Sequence, residues 1–473
     1  MNKQVGAVSV AGASEAQPEI KEQARKHLVQ PWPVAGGLGE TAHMLVSASE
    51  AIYIYDEQGR KLIDGPGGMW CVQVGHRREE LAQVLYDQSM AMTYSSPWYT
   101  TSGPAAELAA VIADRAPGDL DHVFFSTGGS TAVETAIRLA WFYHAVRGKP
   151  HKTKLLTREG AYHGSTFLTG SICGKPRDRD WMTQFDDQVI RLSSPATLRR
   201  PDDMSIEAFG DHLVAEAEQR IAEAGPDTIA AFVGEPIMAS GGVIVPPEGY
   251  LGRMRELCRK HDILFIMDEV VTAFGRLGHI FASGDVFGLD PDMITFAKGV
   301  TSGYFPLGGT VISSALVDEI KQSGQDSAMF AHGYTYSSHP VGCALALKNI
   351  AIMEDGLLQH TRALTPYFQK RLKELESLDL VGEVRGMGLM AGIECVADRT
   401  SKNPLALDLE VGARIDTHCQ ELGLLVRPLI NMIVMSPPLI IEKPEIDRMV
   451  EILHEGISRT MVDLKKEGLW SGA

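Results

Sequence analysis

Ile263-Leu264-Phe265-Ile266-Met267-Asp268 reads as a strand buried on both faces that ends in a carboxylate. Thirty positions after Asp268 stands Lys298, in Thr295-Phe296-Ala297-Lys298-Gly299, at the end of a second apolar run. Further runs of this kind lie at 122–126, 154–157, 229–233 and 309–313, each bounded by turn or polar residues. Helical patterns at about 130–147, 206–224 and 248–261 alternate with them. The alternation predicts an α/β fold around a mainly parallel central sheet. In such sheets ligands bind beyond the carboxyl ends of the strands. Thr127-Gly128-Gly129, Glu235, Asp268 and Lys298 all fall at or just past such ends, which points to one shared site.

Outside this stretch the pattern changes. Residues 340–375 read as helical, and 389–396, 424–428 and 433–441 as strands. Pro444 opens a last helix with apolar residues at Ile446, Met449, Val450, Leu453, Ile457 and Leu464. Residues 51–64 read as strand, turn and strand, with Gly59 in the turn. The two chain ends, 1–75 and 340–473, are therefore expected to form a smaller α+β domain beside a large domain at 76–339. Residues 1–24 are polar and read as an arm, partly disordered or wrapped on a partner subunit.

The chain has 473 residues, is 44% apolar and 22% charged, and carries a net charge of −16. That balance is ordinary for a soluble protein and argues against nucleic-acid binding, which needs basic surface. The six cysteines are scattered without a C-x-x-C pair, the usage of a reducing compartment. Residues 5–13 are too short and too interrupted by Gly and Ser for a signal peptide, and no run reaches the ~18 apolar residues of a membrane helix. A cytoplasmic protein without membrane partners is expected. No metal site is expected either: His454-Glu455 lacks the second histidine of the zinc spacing, and Gly386-x-Gly388 lacks the third glycine of a dinucleotide loop.

The chemistry follows from residue types. In Phe125-Ser126-Thr127-Gly128-Gly129-Ser130 a strand turns through two glycines into a helix, whose unpaired N–H groups and dipole suit a phosphate. The alternative is an ordinary capped helix start. Tyr162, in Ala161-Tyr162-His163-Gly164, is placed to stack on a flat ring or to serve the core, and His163 is either a base or a structural histidine. Asp268 needs a buried partner, and the choice lies between a pyridinium N–H and Arg276. Lys298 in a desolvated pocket is a nucleophile towards carbonyls; on the surface it is only a snorkelling cation. A lysine that holds the cofactor as a Schiff base, with an aspartate that keeps its ring nitrogen protonated, is the pair that pyridoxal phosphate chemistry uses.

Taken together these motifs resemble the class III (ω-) aminotransferases, pyridoxal-phosphate enzymes of fold type I, from about Leu28 to the last helix. The resemblance rests on Gly67-Gly68-Met69-Trp70-Cys71, Gly128 to Glu134, Tyr162 to Thr166, Gly234-Glu235-Pro236, Asp268-Glu269-Val270, Ala297-Lys298-Gly299 and His332 to Tyr336. It implies a transaminase in which Lys298 and Asp268 are catalytic and Glu235 supports Asp268. It implies that Val270 and Tyr162 flank the cofactor ring, and that Gly129 and Ser130 hold its phosphate together with Thr335 of the other subunit. It also implies that Trp32, Trp70 and Tyr162 line the substrate pocket, and that Arg427 binds substrate carboxylates. The partners implied are an amine donor and a keto-acid acceptor such as pyruvate. A homodimer with shared sites is the implied active unit, with a tetramer left open. Three departures from the family pattern stand out: Thr127-Gly128 where many relatives have Asn-Ser, which bears on the cofactor-phosphate contacts; Ser338 for a common glycine; and Asn431-Met432 where several amine-accepting relatives have Asp-His, which bears on the pocket near Arg427 and so on substrate choice. Other reactions on the same fold (aminomutase, racemase, decarboxylating transaminase), a catalytically silent binding protein, and an NAD enzyme stand as alternatives.

Overall fold

Strands buried on both faces need helices on both sides, and this chain supplies them. The structure, a computed structural model, describes residues 17–40, 43–406 and 409–472. Near its start β1 (Val46–Glu50), β2 (Tyr53–Asp56) and β3 (Lys61–Asp64) form an antiparallel meander, with Gly59 at φ +75° in the second turn. Then come β4 (Leu120–Ser126), β5 (Lys154–Arg158), β6 (Val189–Leu192), β7 (Ile229–Gly234), β8 (Leu264–Asp268), β9 (Met293–Phe296) and β10 (Gly308–Ser313). These seven make the central sheet, in the order β4-β10-β9-β8-β7-β5-β6. All its pairings are parallel except those of β10, which runs antiparallel to both β4 and β9.

Successive residues of a strand face opposite sides of the sheet, and here they feed two different cores. Phe232, Phe265, Met267, Ile294 and Phe296 join one, packed under the helices Ile206–Ala224, Tyr250–Lys260 and Pro340–Ile352. Ala231, Val233, Leu264, Ile266 and Met293 join the other, against Val133, Ala136, Ile137 and Ala140 of the helix Gly129–Val146. This double burial is why the strands read as continuous apolar runs rather than as an alternation.

A third core mixes the two ends of the chain: Ile52 and Ile63 pack with Leu424, Ile433, Met449 and Leu453. Its sheets hold β11 (Val381–Met387), β12 (Met390–Asp398), β13 (Asn403–Pro404), β14 (Leu424–Leu425), β15 (Arg427–Leu429) and β16 (Met432–Met435). β14 pairs in parallel with β3, extending the N-terminal meander, whereas β15 and β16 belong to the β11–β12 sheet. The strand expected over 424–428 is thus two short strands in different sheets, parted at Val426. The strand expected over 433–441 ends at Met435, because Pro437 and Pro438 have no N–H to donate. The helical stretch 340–375 is broken at Asp355 and Gly356, whose backbone leaves the helical region. Of the expected N-terminal arm, residues 1–16 lie outside the described residues, and from Gln17 to His27 the chain is helical. Among the described residues no helix is long and apolar enough to cross a membrane.

Phe265 is fully buried and its ring stacks on Phe232, with centroids 5.3 Å apart. Phe265→Ala should cost about 3–5 kcal/mol through the cavity it leaves beneath the sheet. Urea unfolding monitored by circular dichroism checks this; a loss below about 1 kcal/mol would mean that the core closes over the gap.

Candidate active site

The carboxyl ends of the parallel strands present the predicted residues along one edge. β8 ends in Asp268, β7 hands over to Glu235, β9 is followed after one residue by Lys298, and β4 turns into the helix that starts at Gly129. Asp268 is buried at 5% exposure and its two oxygens are used separately. One lies 2.8 Å from His163 Nδ1. The other accepts from the Val270 N–H at 3.1 Å and the Thr295 hydroxyl at 3.3 Å. Arg276 is not its partner. That guanidinium donates instead to the carbonyls of Leu389 and Pro437 and to Gln73, and burial pulls it down to about 9. His163 is therefore the support of the carboxylate, held from behind by its own N–H on the Cys173 sulfur.

Glu235 lies beneath this pair. Its carboxylate accepts from the backbone N–H groups of Tyr162 (3.1 Å) and Ala239 (3.0 Å). Burial pushes it above the usual carboxylate range; Asp268 adds to the push and His163 opposes it. One contact thus ties the Tyr162 backbone to β7.

Lys298 is half-buried and its backbone is left-handed, at φ +44°. Non-glycine residues adopt this region at a cost, and it recurs at functional positions. Trp32 (φ +62°) and Trp70 (φ +65°) share it. Burial lowers the Lys298 amine below the ordinary lysine value; Asp268 resists the shift and Arg427 reinforces it. A depressed amine near a carboxylate is the state in which lysine acts as nucleophile and base.

The helix Gly129–Val146 has Gly128 at its N-cap and no side-chain cap. Its first N–H groups are left for a ligand, and an uncapped N-terminus of this length suits a phosphate. A Cβ on Gly129 would come within 2.9 Å of Val270, so the turn and the Val270 side chain are in close contact. The Ser130 hydroxyl accepts the Ser165 N–H at 3.1 Å, while Tyr162 and Ser165 share a 3.1 Å hydrogen bond. Gly164 packs so tightly on Ser130 that a Cβ would clash at 2.5 Å, and its φ of +136° disfavours any side chain.

The aromatic and cationic residues complete the mouth. Trp32 meets Tyr162 at 6.1 Å between centroids. Trp70 is buried, and Arg427 lies over its ring at 5.5 Å and against the Met69 sulfur. Thr335 stands apart from this cluster: it is exposed, and its carbonyl accepts from the Tyr94 hydroxyl at 2.7 Å. Asn431 and Met432 do not reach the mouth either. The Asn431 amide donates to the Cys395 carbonyl, and the Met432 sulfur packs against Arg385. Ser338 keeps the left-handed backbone, φ +51°, that a glycine would adopt freely.

Comparison with known proteins shows the family and the fold. The model of the family described as aminotransferase class-III matches residues 37–457. Putrescine–pyruvate aminotransferase of Pseudomonas aeruginosa is 38% identical, over 93% of this chain and 96% of its own. Gamma-aminobutyrate transaminase 1, mitochondrial, of Oryza sativa subsp. indica is 36% identical over 90% and 83%. The crystal structure of an amine transaminase from an uncultivated Pseudomonas species, in its PLP-bound form, superposes with a TM-score of 0.89 at 34% identity, covering 92% of this chain and 99% of that one. The chain belongs to the class-III aminotransferases, with the fold of the type I pyridoxal-phosphate enzymes. It is an aminotransferase.

His163→Leu should strand a buried carboxylate oxygen and destabilise the cofactor-free protein by about 1–3 kcal/mol or more. Denaturant titration of the two proteins without cofactor tests this, and equal midpoints would show that Asp268 does not depend on His163.

Proposed function

We propose that this chain is a ping-pong transaminase that moves the amino group of an ω-amino acid or another primary amine to a keto acid, pyruvate in the first instance, with pyridoxal phosphate as cofactor. The observation that carries the reading is the placing of Lys298 and the buried Asp268–His163 pair at the carboxyl ends of the neighbouring strands β9 and β8. The residues present fit the cofactor. An uncapped helix terminus suits its phosphate, a half-buried Val270 and Tyr162 suit its two ring faces, and a buried carboxylate suits its ring nitrogen. When bound, the cofactor supplies an electron sink that lets a carbon bearing the amine lose a proton.

Everything else falls to side chains. Lys298 Nζ is the attachment point and, once released, the base that takes and returns the Cα proton. Asp268, fixed by His163, Val270 N–H and Thr295, holds a proton on the ring nitrogen by charge-assisted hydrogen bonding. Glu235 supports it through the Tyr162 backbone. Gly129 and Ser130 hold the phosphate. Trp32, Trp70 and Tyr162 wall the pocket and exclude water, and Arg427 grips the carboxylate of the keto acid.

Thr335 acts across a dimer interface in this reading, completing the phosphate site of the second subunit. In support, exposed aromatics gather around it in space: the Tyr94 hydroxyl bonds its carbonyl, the Tyr94 ring meets Tyr336 edge-on at 6.0 Å, and Trp98 lies against Gly333. The chain ends form the smaller domain, and six cysteines without a disulfide favour the cytoplasm.

Adding terminal amines to the cofactor-loaded protein should bleach its yellow absorbance, and pyruvate should restore it; bleaching that pyruvate fails to reverse would exclude it as the acceptor. Lys298→Ala should abolish turnover, and retained activity would refute the assignment. Because the base must be neutral and burial lowers its pKa, activity should persist below the ordinary lysine value of 10.5 and fall as pH drops through the shifted pKa. A kcat profile that declines already near 10.5 would contradict this. Arg427→Ala should weaken the keto-acid half-reaction more than that of a carboxylate-free amine, and equal losses in the two half-reactions would remove it as the clamp.

A further inference from the structure

The turn that carries Lys298 is strained at both ends and held from outside. Lys298 opens a single 3₁₀ turn, Lys298–Thr301, that closes at Ser302. Both Lys298 (φ +44°) and Ser302 (φ +49°) have left-handed backbone without being glycine. Residues in this region persist there only where their surroundings over-determine them. Inside the turn the Val300 N–H donates to the Ala297 carbonyl at 3.1 Å, and the Ser302 N–H to the Gly299 carbonyl at 3.2 Å.

The outside hold is Asn349, which nothing in the sequence singles out. It lies on the helix Pro340–Ile352 and is fully buried. Its amide N–H groups donate to the carbonyls of Gly299 and Val300, each at 2.9 Å. Its oxygen accepts the Ser302 hydroxyl at 2.8 Å, and that hydroxyl accepts the Val74 N–H at 3.3 Å. Gly299 has no room to swing aside: a Cβ there would lie 2.8 Å from the Gln73 amide and 3.0 Å from Phe274.

The helix itself has no use for an amide at this place. Cys343, Leu345, Ala346 and Ile350 of the same helix lie in an apolar core. A leucine at 349 would form helix better and bury more apolar surface. All the hydrogen bonds of the Asn349 side chain go instead to one turn. In a water-free interior no solvent replaces a lost partner. We infer that Asn349 is a positioning residue for Lys298: it holds the left-handed turn from which the amine acts as attachment point and base. The inference deepens the transaminase reading, on which it rests.

Asn349→Leu keeps the size of the side chain and removes its hydrogen bonds. Asn349→Ser keeps one hydroxyl donor and carries the test if the first variant fails to fold. Pyridoxal phosphate is added to the cofactor-free proteins, borohydride fixes the lysine-bound cofactor at set times, and peptide mass counts modified Lys298. Labelling should slow at least about tenfold in Asn349→Leu and less in Asn349→Ser. In the loaded enzyme, Asn349→Leu should lower kcat of the donor half-reaction about 10²-fold and leave the donor KM within about threefold. A second background separates positioning from general damage. In Lys298→Ala, added ethylamine serves as the base for the half-reaction, and there Asn349→Leu should change the rate by less than about twofold. Equal losses with and without Lys298, or labelling at the wild-type rate, would overturn the inference and leave transamination intact. No label on wild-type Lys298 would overturn the transaminase reading and the inference together, whereas a labelled protein that no amine discharges would overturn the reading alone.

Discussion

A carboxylate buried at the end of an apolar strand is the constraint on which this site is built. Asp268 cannot remain charged there without partners, and the fold brings three from separate places: His163 from the loop after β5, Thr295 from the neighbouring β9, and the Val270 N–H from its own turn. Each fixes another functional element. The loop that carries His163 also carries Tyr162, and Thr295 stands three residues before Lys298. Val270 packs on Gly129 at the helix terminus. Satisfying one charge therefore aligns the anchor, the ring-facing side chains and the phosphate cradle along a single sheet edge.

The central sheet and this edge were legible because their signals are local. Strands buried on both faces produce unbroken apolar runs, and six of the seven central strands read that way. The seventh, β6, is a four-residue edge strand containing Arg191, half-buried through most of its length, and so carries no such run. β11 was missed for a related reason: Val381-Gly382-Glu383-Val384-Arg385 alternates glycine and charge around only two buried apolar residues. The helices Glu79–Ala91 and Val411–Leu422 escaped as well, the first with a single buried residue, Leu81.

Within the site the illegible part was the set of pairings. Asp268 had two plausible partners in sequence, an external pyridinium and Arg276, and the structure assigns Arg276 to carbonyls that join β12 and the Pro437 turn to the large sheet. His163 was visible as a residue but not as the carboxylate's support, because nothing local connects positions 105 apart. The departure at Asn431 and Met432, read in sequence as bearing on the pocket near Arg427, involves side chains held by the Cys395 carbonyl and by Arg385, pairings that no local pattern encodes.

The parallel pairing of β14 with β3 has a consequence for synthesis on the ribosome. Leu424 lies opposite Ile63, so the outer edge of the first meander waits for a strand 361 positions later. At bacterial-like elongation rates of about 5–20 residues per second that wait is roughly 20–70 s. During it β3 presents open N–H and C=O groups beside the apolar Ile52 and Ile63, the kind of edge that pairs with other chains. Yield during expression should thus depend more on temperature and chaperone supply than on the strength of the finished core.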